Sequence, residues 1–573
     1  MTRNLDAAVV AAAPERRHNA LSTEMAHNLE IVLALLAAVI ALEVAARRVA
    51  LPSPFLLLPA GILLGYAPGF PHLTLDPDVV MQVFLPLLVY AGSALGSWVE
   101  FRRNLSPIAL LSVGCVLFTT GVVACAVHRF IPGFGWPASF VLGAIISPPD
   151  EIAAISIARR LGIPKDLSAI LEGEGLVNDA TALTVYRVAA AAILTHSFSM
   201  TSAASTFTFM VAVELLWGLL VAWTMLRLRR LVENTSLEIC LSLLTPFAAY
   251  LPAERTGGTG VLAVVAAGLY ISNMNSHHVR AVTRLQLVPI WGIIEFILDG
   301  ILFLVTGIQL HRILEPLSKV DHRLLWEYGT LISALVIVLR VAWVFACIYI
   351  PALIRPSMCP LKREVRWQRV FIVSWSGMRG AISLAAALAL PLMAGPGVPF
   401  PQRDLIIFLT FCVIVSTLIL QGLSLPGLIR WFGIDAEGRA ERSQAGHQEV
   451  DARRLAAEAS LEYLAAKRKE GAYPEDLLSR LEDQYQHRHA QFRAHLDGDH
   501  DGAVVLGTHA FNVQTELIET ERQVMLNLRS EGVIDDRILR RVEKDLDLQE
   551  MRLRQGITEW NMAADQRLEY TEP

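Results

Sequence analysis

The sequence predicts an all-α polytopic membrane protein. It should have about thirteen transmembrane helices, inverted repeats with two broken crossing helices, and a helical cytoplasmic tail. Three observations predict this. Of 573 residues, 54% are hydrophobic and 18% charged, and the mean hydropathy of +0.46 is high for a chain folding in water. Apolar runs long enough to span a bilayer follow one another with short breaks. Finally, charge is segregated: 19 of the 49 basic and 29 of the 54 acidic residues fall in 431–573. That leaves a membrane part at +5 and a tail at −10, so the overall −5 describes neither.

The elements follow in order. Residues 1–27 are mixed and Ala-rich, without the basic region, apolar core and small-residue cleavage site of a signal peptide, and are read as a disordered extension. The apolar segments span about 28–46, 51–66, 78–96, 105–127, 136–158, 167–195, 205–227, 236–252, 258–273, 288–311, 325–354, 367–394 and 404–430. The second, with Pro54 and Pro59, is the least regular. Together 28–430 form the transmembrane domain, and 431–573 a separate helical tail with a regulatory or dimer-contacting role. In the tail, Asp451–Arg493 is helical in composition. A break is expected at His500–Gly502 and Gly507, then a second helical region over Phe511–Arg554.

Loop charges test the count. Alternate loops, starting with the first, carry Arg47 and Arg48, then Arg102 and Arg103, then Arg159, Arg160 and Lys165. They continue with Arg227, Arg229 and Arg230, with Arg280 and Arg284, and with Arg355, Lys362, Arg363 and Arg366. The intervening loops are poor in basic residues. Positive charge marks the cytoplasmic side, so the N-terminus faces outward and the tail is cytoplasmic, in a multi-pass protein of the cell (inner) membrane.

Three segments carry chemistry. The first is Leu171-Glu-Gly-Glu-Gly-Leu-Val-Asn-Asp-Ala-Thr-Ala-Leu183. A carboxylate at the centre of a membrane helix costs roughly 2.5–3.5 kcal/mol on insertion scales. If the helix starts near Leu167, Asp179 lies about 18 Å in, near mid-membrane. Glu174 and Asn178 are i and i+4 on one face, whereas Asp179 is rotated about 100° from Asn178. The second is Ser147-Pro-Pro-Asp-Glu151. Two prolines in mid-span remove two N–H donors, and lipid cannot satisfy the freed carbonyls, so this break must be buried or line a cavity. Asp150 follows it, where the next half-helix presents its positive end. The third is Ser374-Trp-Ser-Gly-Met-Arg-Gly-Ala381, where Arg379 between two glycines can neutralise the negative end of a half-helix. The two breaks fall in the fifth of the first six segments and the fifth of the last six. Corresponding broken helices in two halves point to an inverted-repeat transporter with its site at the midplane.

Other polar residues read more plainly. Glu295 and Asp299, i and i+4 in an apolar span, are assigned first to packing or a water path, with Asp299 kept as a candidate site residue. Glu172, nearer the cytoplasmic end, is a funnel residue or a solvated cap. The six cysteines lack metal spacing. No nucleotide loop, catalytic constellation or basic nucleic-acid stripe is present, so no cofactor and no nucleic acid is expected. A membrane-embedded enzyme would need its acidic and basic groups clustered at a membrane surface. A channel would need a continuous polar pore.

The runs Ser147-Pro-Pro-Asp-Glu-Ile-Ala-Ala154, Leu171–Ala182 and Gly377-Met-Arg-Gly-Ala-Ile-Ser-Leu384 together resemble the monovalent cation/proton antiporter family, in particular the electroneutral bacterial sodium/proton exchangers. The resemblance covers roughly 28–430. It implies a homodimer in which a core domain moves against a dimerisation domain. It also implies that Asp179 binds cation or proton in alternation, that Asp150 is the second carboxylate, and that Glu174 is held by a buried Arg. The matching residue is Arg340, and a buried Arg and a buried Glu each need such a partner. Two positions depart from the family: many members have Ser where this chain has Gly175, and Thr where it has Pro149. Ser147, Thr181, waters and the carbonyls freed by Pro148 and Pro149 are the oxygens expected to fill in. The bare carboxylate is penalised in the membrane, whereas the protonated or the Na⁺-bound carboxylate is neutral. Exchange is therefore obligatory, one cation for one proton, and serves pH and sodium homeostasis. Asn178 in place of a second carboxylate fits electroneutrality, by the same resemblance. Na⁺ is the expected cation, with Li⁺ or K⁺ open and K⁺/H⁺ exchange the alternative.

Overall fold

The computed structural model describes residues 30–49, 51–67, 76–195, 200–232, 234–317, 321–354, 366–395, 398–471, 473–497, 500–531, 533, 537–539, 541–551 and 553. The predicted N-terminal extension and the basic residues Arg355, Lys362 and Arg363 lie outside them. The chain divides into two units, Met1–Asp435 and Ala436–Pro573.

In the first unit the helices are α1 (30–49), α2 (Pro54–Gly65), α3 (Pro77–Leu95), the short α4 (Trp98–Arg103), α5 (Leu105–Phe130), α6 (Trp136–Ile146), α7 (Glu151–Leu161), α8 (Lys165–Thr195) and α9 (Met200–Leu231). They continue as α10 (Thr235–Arg255), α11 (Val261–His278), α12 (Ala281–Ile308), α13 (His322–Ile354), α14 (Trp367–Trp375), α15 (Ala381–Leu388) and α16 (Arg403–Trp431). Among the described residues seven helices are long and apolar enough to cross a membrane. Pro54–Gly65, Trp136–Ile146 and Val261–Met274 are apolar but shorter. Each predicted segment has a helix, or two half-helices, at its position. The helix starts follow ordinary chemistry: proline opens α2 and α3, where its missing N–H costs nothing. The Asn234 side chain caps α10 by accepting from the Ser236 N–H at 2.8 Å.

Among the described residues four apolar clusters hold the unit together, the smallest joining α3, α12 and α15; the other three are larger. One joins α5, α6, α13, α15 and α16; a second joins α1, α2, α7, α12, α14 and the end of α16; a third joins α3, α9, α10, α11 and α12. Helix α8 contributes to all three, through Ala189 and Ile193, Leu167 and Leu171, and Leu176 and Ala180. It is therefore the central helix. Helices α2 and α12 meet backbone to backbone: a Cβ on Gly61 would strike the Leu304 carbonyl, and one on Gly307 the Leu58 carbonyl. Close approach at small residues is how helices associate in lipid, where burying apolar surface supplies little.

In the second unit, helices run over Ile434–Glu470, Glu475–Asp497 and His500–Ser530. Two sequence expectations are corrected here. The first helical region is split at Gly471, whose φ of +65° suits glycine, with Pro474 following. The break expected at His500–Gly502 and Gly507 falls slightly earlier: one helix ends at Asp497 and the next begins at His500 and runs through both glycines. Glycine costs a helix only about 1 kcal/mol relative to alanine, less than a sharp stop requires. Cross-helix ion pairs join these elements: Arg468 to Glu475 at 2.9 Å and to Glu482 at 2.7 Å, and Arg522 to Asp547 at 3.0 Å.

Candidate ion-binding site

The site lies where the two helix breaks meet beside the middle of α8. Residues 147–150 separate α6 from α7, and 376–380 separate α14 from α15. The breaks are joined by their backbones, the Asp150 N–H donating to the Met378 carbonyl at 2.6 Å. Each negative half-helix end is met by a buried guanidinium. Arg379 donates to the carbonyls of Ile146 at 3.0 Å and Ser147 at 3.2 Å, at the end of α6, and also to Gly377. Arg340, from α13, donates to the carbonyls of Ser374 and Val373, both at 3.1 Å, at the end of α14. Pro149's carbonyl accepts from Asn178 Nδ2 at 2.7 Å. These bonds supply the partners that lipid cannot.

The positive ends face the other way. Asp150 immediately precedes α7, and its carboxylate lies against Gly380, which precedes α15; a Cβ at Gly380 would fall on that carboxylate. Two helix N-termini thus converge on one anion. Glu174 and Arg340 pair through two bonds, 2.5 Å and 2.8 Å, with side chains 2% and 1% exposed. This bidentate geometry is the strong form of such a pair.

Asp179 points elsewhere, as the 100° rotation from Asn178 predicts. It lines the inner end of a cavity of about 570 Å³, together with Asp150, Pro149, Gly380 and Asp299. At the outer end the cavity is lined by Arg47, Arg159 and Glu172. Arg47 and Arg159 are well exposed, and Arg159 donates to Glu172 at 3.1 Å. Asp179 also borders a second, small void of about 10 Å³, whose lining includes Ile145, Leu183, Tyr186, Ile382 and Ala386.

Not every sequence candidate joins the cavity. The Ser147 hydroxyl donates to the Ala144 carbonyl and accepts from Thr120, both at 3.1 Å. Thr181 bonds back to the Val177 carbonyl at 3.2 Å. Both are buried and turned into their own helices, a common alternative for such hydroxyls. Gly175 is buried and adds no oxygen beyond its backbone. Thr120 and Thr417, whose hydroxyl accepts from the Arg379 N–H at 3.0 Å, are supporting residues that isolated threonines in apolar helices do not signal.

A family model described as the transmembrane sodium/hydrogen exchanger matches residues 31–431. The chain belongs to the sodium/hydrogen exchanger family. It is a cation/proton antiporter, a multi-pass membrane transporter and not an enzyme. An uncharacterised Na⁺/H⁺ exchanger of Mycobacterium tuberculosis is 34% identical over 534 residues, covering 92% of this chain and 96% of that protein. A sodium, potassium, lithium and rubidium/H⁺ antiporter of Bacillus pumilus is 33% identical over 406 residues, 69% of this chain and 60% of that protein. The fold is that of the sodium proton antiporter MjNhaP1 from Methanocaldococcus jannaschii. The TM-score is 0.56 at 17% identity, over 71% of this chain and 98% of that one.

Proposed function

We propose that this antiporter exchanges Na⁺ for H⁺ one for one, with Asp179 carrying either ion in alternation and Asp150 held ionised as the second carboxylate. The observation that supports this reading is Asp179's placement in the wall of the cavity, beside both helix breaks. With a proton or a Na⁺ bound Asp179 is neutral and can move; empty, it adds an uncompensated charge that the membrane penalises. In this reading Asn178, Arg379 and the Glu174–Arg340 pair hold the breaks in shape and do not touch the ion. Glu172 lies in the entrance.

The same reading gives the wider organisation. The two broken helices, with α5, α8, α13 and α16, form the moving core. The remaining helices form the dimerisation side of a homodimer in lipid. By the basic loops, the N-terminus faces outward and the cavity opens to the cytoplasm. The transmembrane domain is 28–430, and the tail, 431–573, is a cytoplasmic regulatory unit. The cell uses the exchange for pH and sodium homeostasis. A second reading, K⁺/H⁺ exchange, is favoured by two observations: the Ser147 and Thr181 hydroxyls are turned away from the cavity, and the Bacillus pumilus relative is named for both sodium and potassium.

The test is dequenching of a pH-sensitive dye in everted vesicles on separate addition of Na⁺, Li⁺ and K⁺. Dequenching by Na⁺ at lower concentration than by K⁺ supports the first reading; the reverse order supports the second. Charge balance is tested in proteoliposomes. A potential of 100 mV acts on each moved charge by about 2.3 kcal/mol, so an imposed potential should leave rate and end point unchanged while a pH gradient shifts both. A reversal potential that follows the voltage would mean that Asp150 also releases a proton.

Gly380 offers a steric test. Gly380→Ala puts a methyl group onto the Asp150 carboxylate, and a displacement of this size should cost on the order of tenfold or more in exchange rate. Gly427→Ala, where a Cβ meets nothing within 4 Å, should leave the rate unchanged.

A further inference from the structure

One carboxylate in the cavity is unused by this scheme. Asp299, on α12, lines the same cavity as Asp179 and Asp150. Its Oδ1 is inaccessible to solvent and has no hydrogen-bond partner. A buried carboxylate oxygen without a donor is costly unless a proton or a cation meets it. Its position is informative. Helix α12 packs backbone to backbone on α2 through Gly307 and Gly61, so Asp299 reaches the cavity from a helix other than α8. Its neighbour Glu295, one turn earlier, also lines the cavity. Helices α8 and α12 therefore present matching acidic steps: Glu172 then Asp179 on one, Glu295 then Asp299 on the other. On α8 the step at Glu172 is already neutralised by Arg159.

We propose that Asp299 is a cation-recognition residue of the transport site, supplying from a second helix a carboxylate that helps draw a monovalent cation to Asp179. This rests on the reading of Asp179 as the carrier. The local chemistry asks for such a group: the Ser147 and Thr181 hydroxyls are turned into their helices, and Asn178 presents Nδ2 to Pro149. A small hard cation leaving water needs several oxygen ligands, and Asp299 adds one that carries charge. Because Asp299 lies on α12 and not on α8, its pull acts on a cation in the cavity, while Asp179 carries the ion.

The experiment compares wild type, Asp179→Asn, Asp299→Asn and Asp299→Glu in proteoliposomes, measuring exchange against Na⁺, Li⁺ and K⁺ concentration. A unit charge acting across about 10 Å at an effective dielectric constant near 20 is worth roughly a tenfold change in affinity. Asp299→Asn should therefore raise the KM for cation about tenfold with the maximal rate nearly kept. Asp299→Glu should restore most of the affinity. The rise in melting temperature on adding Na⁺ should shrink in Asp299→Asn, with the Na⁺-free melting temperature unchanged. An unchanged KM in Asp299→Asn overturns the proposal, as does a fall in maximal rate and Na⁺-free stability with no change in KM. Wild-type rates in Asp179→Asn would instead overturn the carrier assignment, so the two failures are distinguishable.

Discussion

Asp179→Asn is expected to abolish cation-driven proton movement while the protein still inserts and folds. The amide matches the carboxylate in shape but cannot take up and release a proton, and it cannot neutralise a monovalent cation. Asp179 lines the cavity, and no ion pair depends on it among the described residues. The substitution should therefore leave thermal stability in detergent close to wild type, or raise it, since it removes a charge from the membrane interior. The measurement is dye dequenching in everted vesicles on adding Na⁺, Li⁺ or K⁺, with size-exclusion and melting profiles as controls. Dequenching at wild-type rates would remove Asp179 from the mechanism.

Breaking the Glu174–Arg340 pair should have the largest effect on stability. Removing either partner strands a buried charge, at a cost of about 3–5 kcal/mol. The two losses should differ. Glu174→Gln leaves Arg340 still bonded to the carbonyls of Val373 and Ser374, whereas Arg340→Gln also orphans those carbonyls at the end of α14. Arg340→Gln is thus the more damaging, and the double substitution should lose less than the sum of the two. Melting in detergent gives the cycle; strict additivity would mean that the pair contributes no coupling.

The sequence made much of this legible because membrane physics is demanding. Prolines and glycines in mid-span, with Asp150, Arg379 and Asp179 beside them, are too costly to be incidental. The pairing of Glu174 with Arg340 came from the resemblance together with the need of a buried Arg and a buried Glu for a partner. Two things were not legible. Arg379 was expected to serve the negative end of a half-helix, but that it serves α6, from the other half of the chain, depends on how the breaks approach in space. Ser147 and Thr181 were expected to offer oxygen to the ion, but a hydroxyl on a helix chooses between the cavity and its own backbone by rotamer, which composition does not report. The tail was the reverse case. Gly502 and Gly507 read as part of a break and lie inside a helix that begins at His500, whereas the break at Gly471, one turn before the helix that Pro474 precedes, was not expected.

The hydrogen bonds from one break to the other also bear on how the protein is made. The Ile146 and Ser147 carbonyls are met by Arg379, and the Asp150 N–H by Met378, residues synthesised long after α6 and α7 have emerged from the ribosome. Until α14 and α15 arrive, these groups lie unmatched in the membrane interior, each at a cost of several kcal/mol. The first half of the transmembrane unit therefore cannot satisfy its own break, and only a chain translated past Gly380 can complete the surroundings of Asp150.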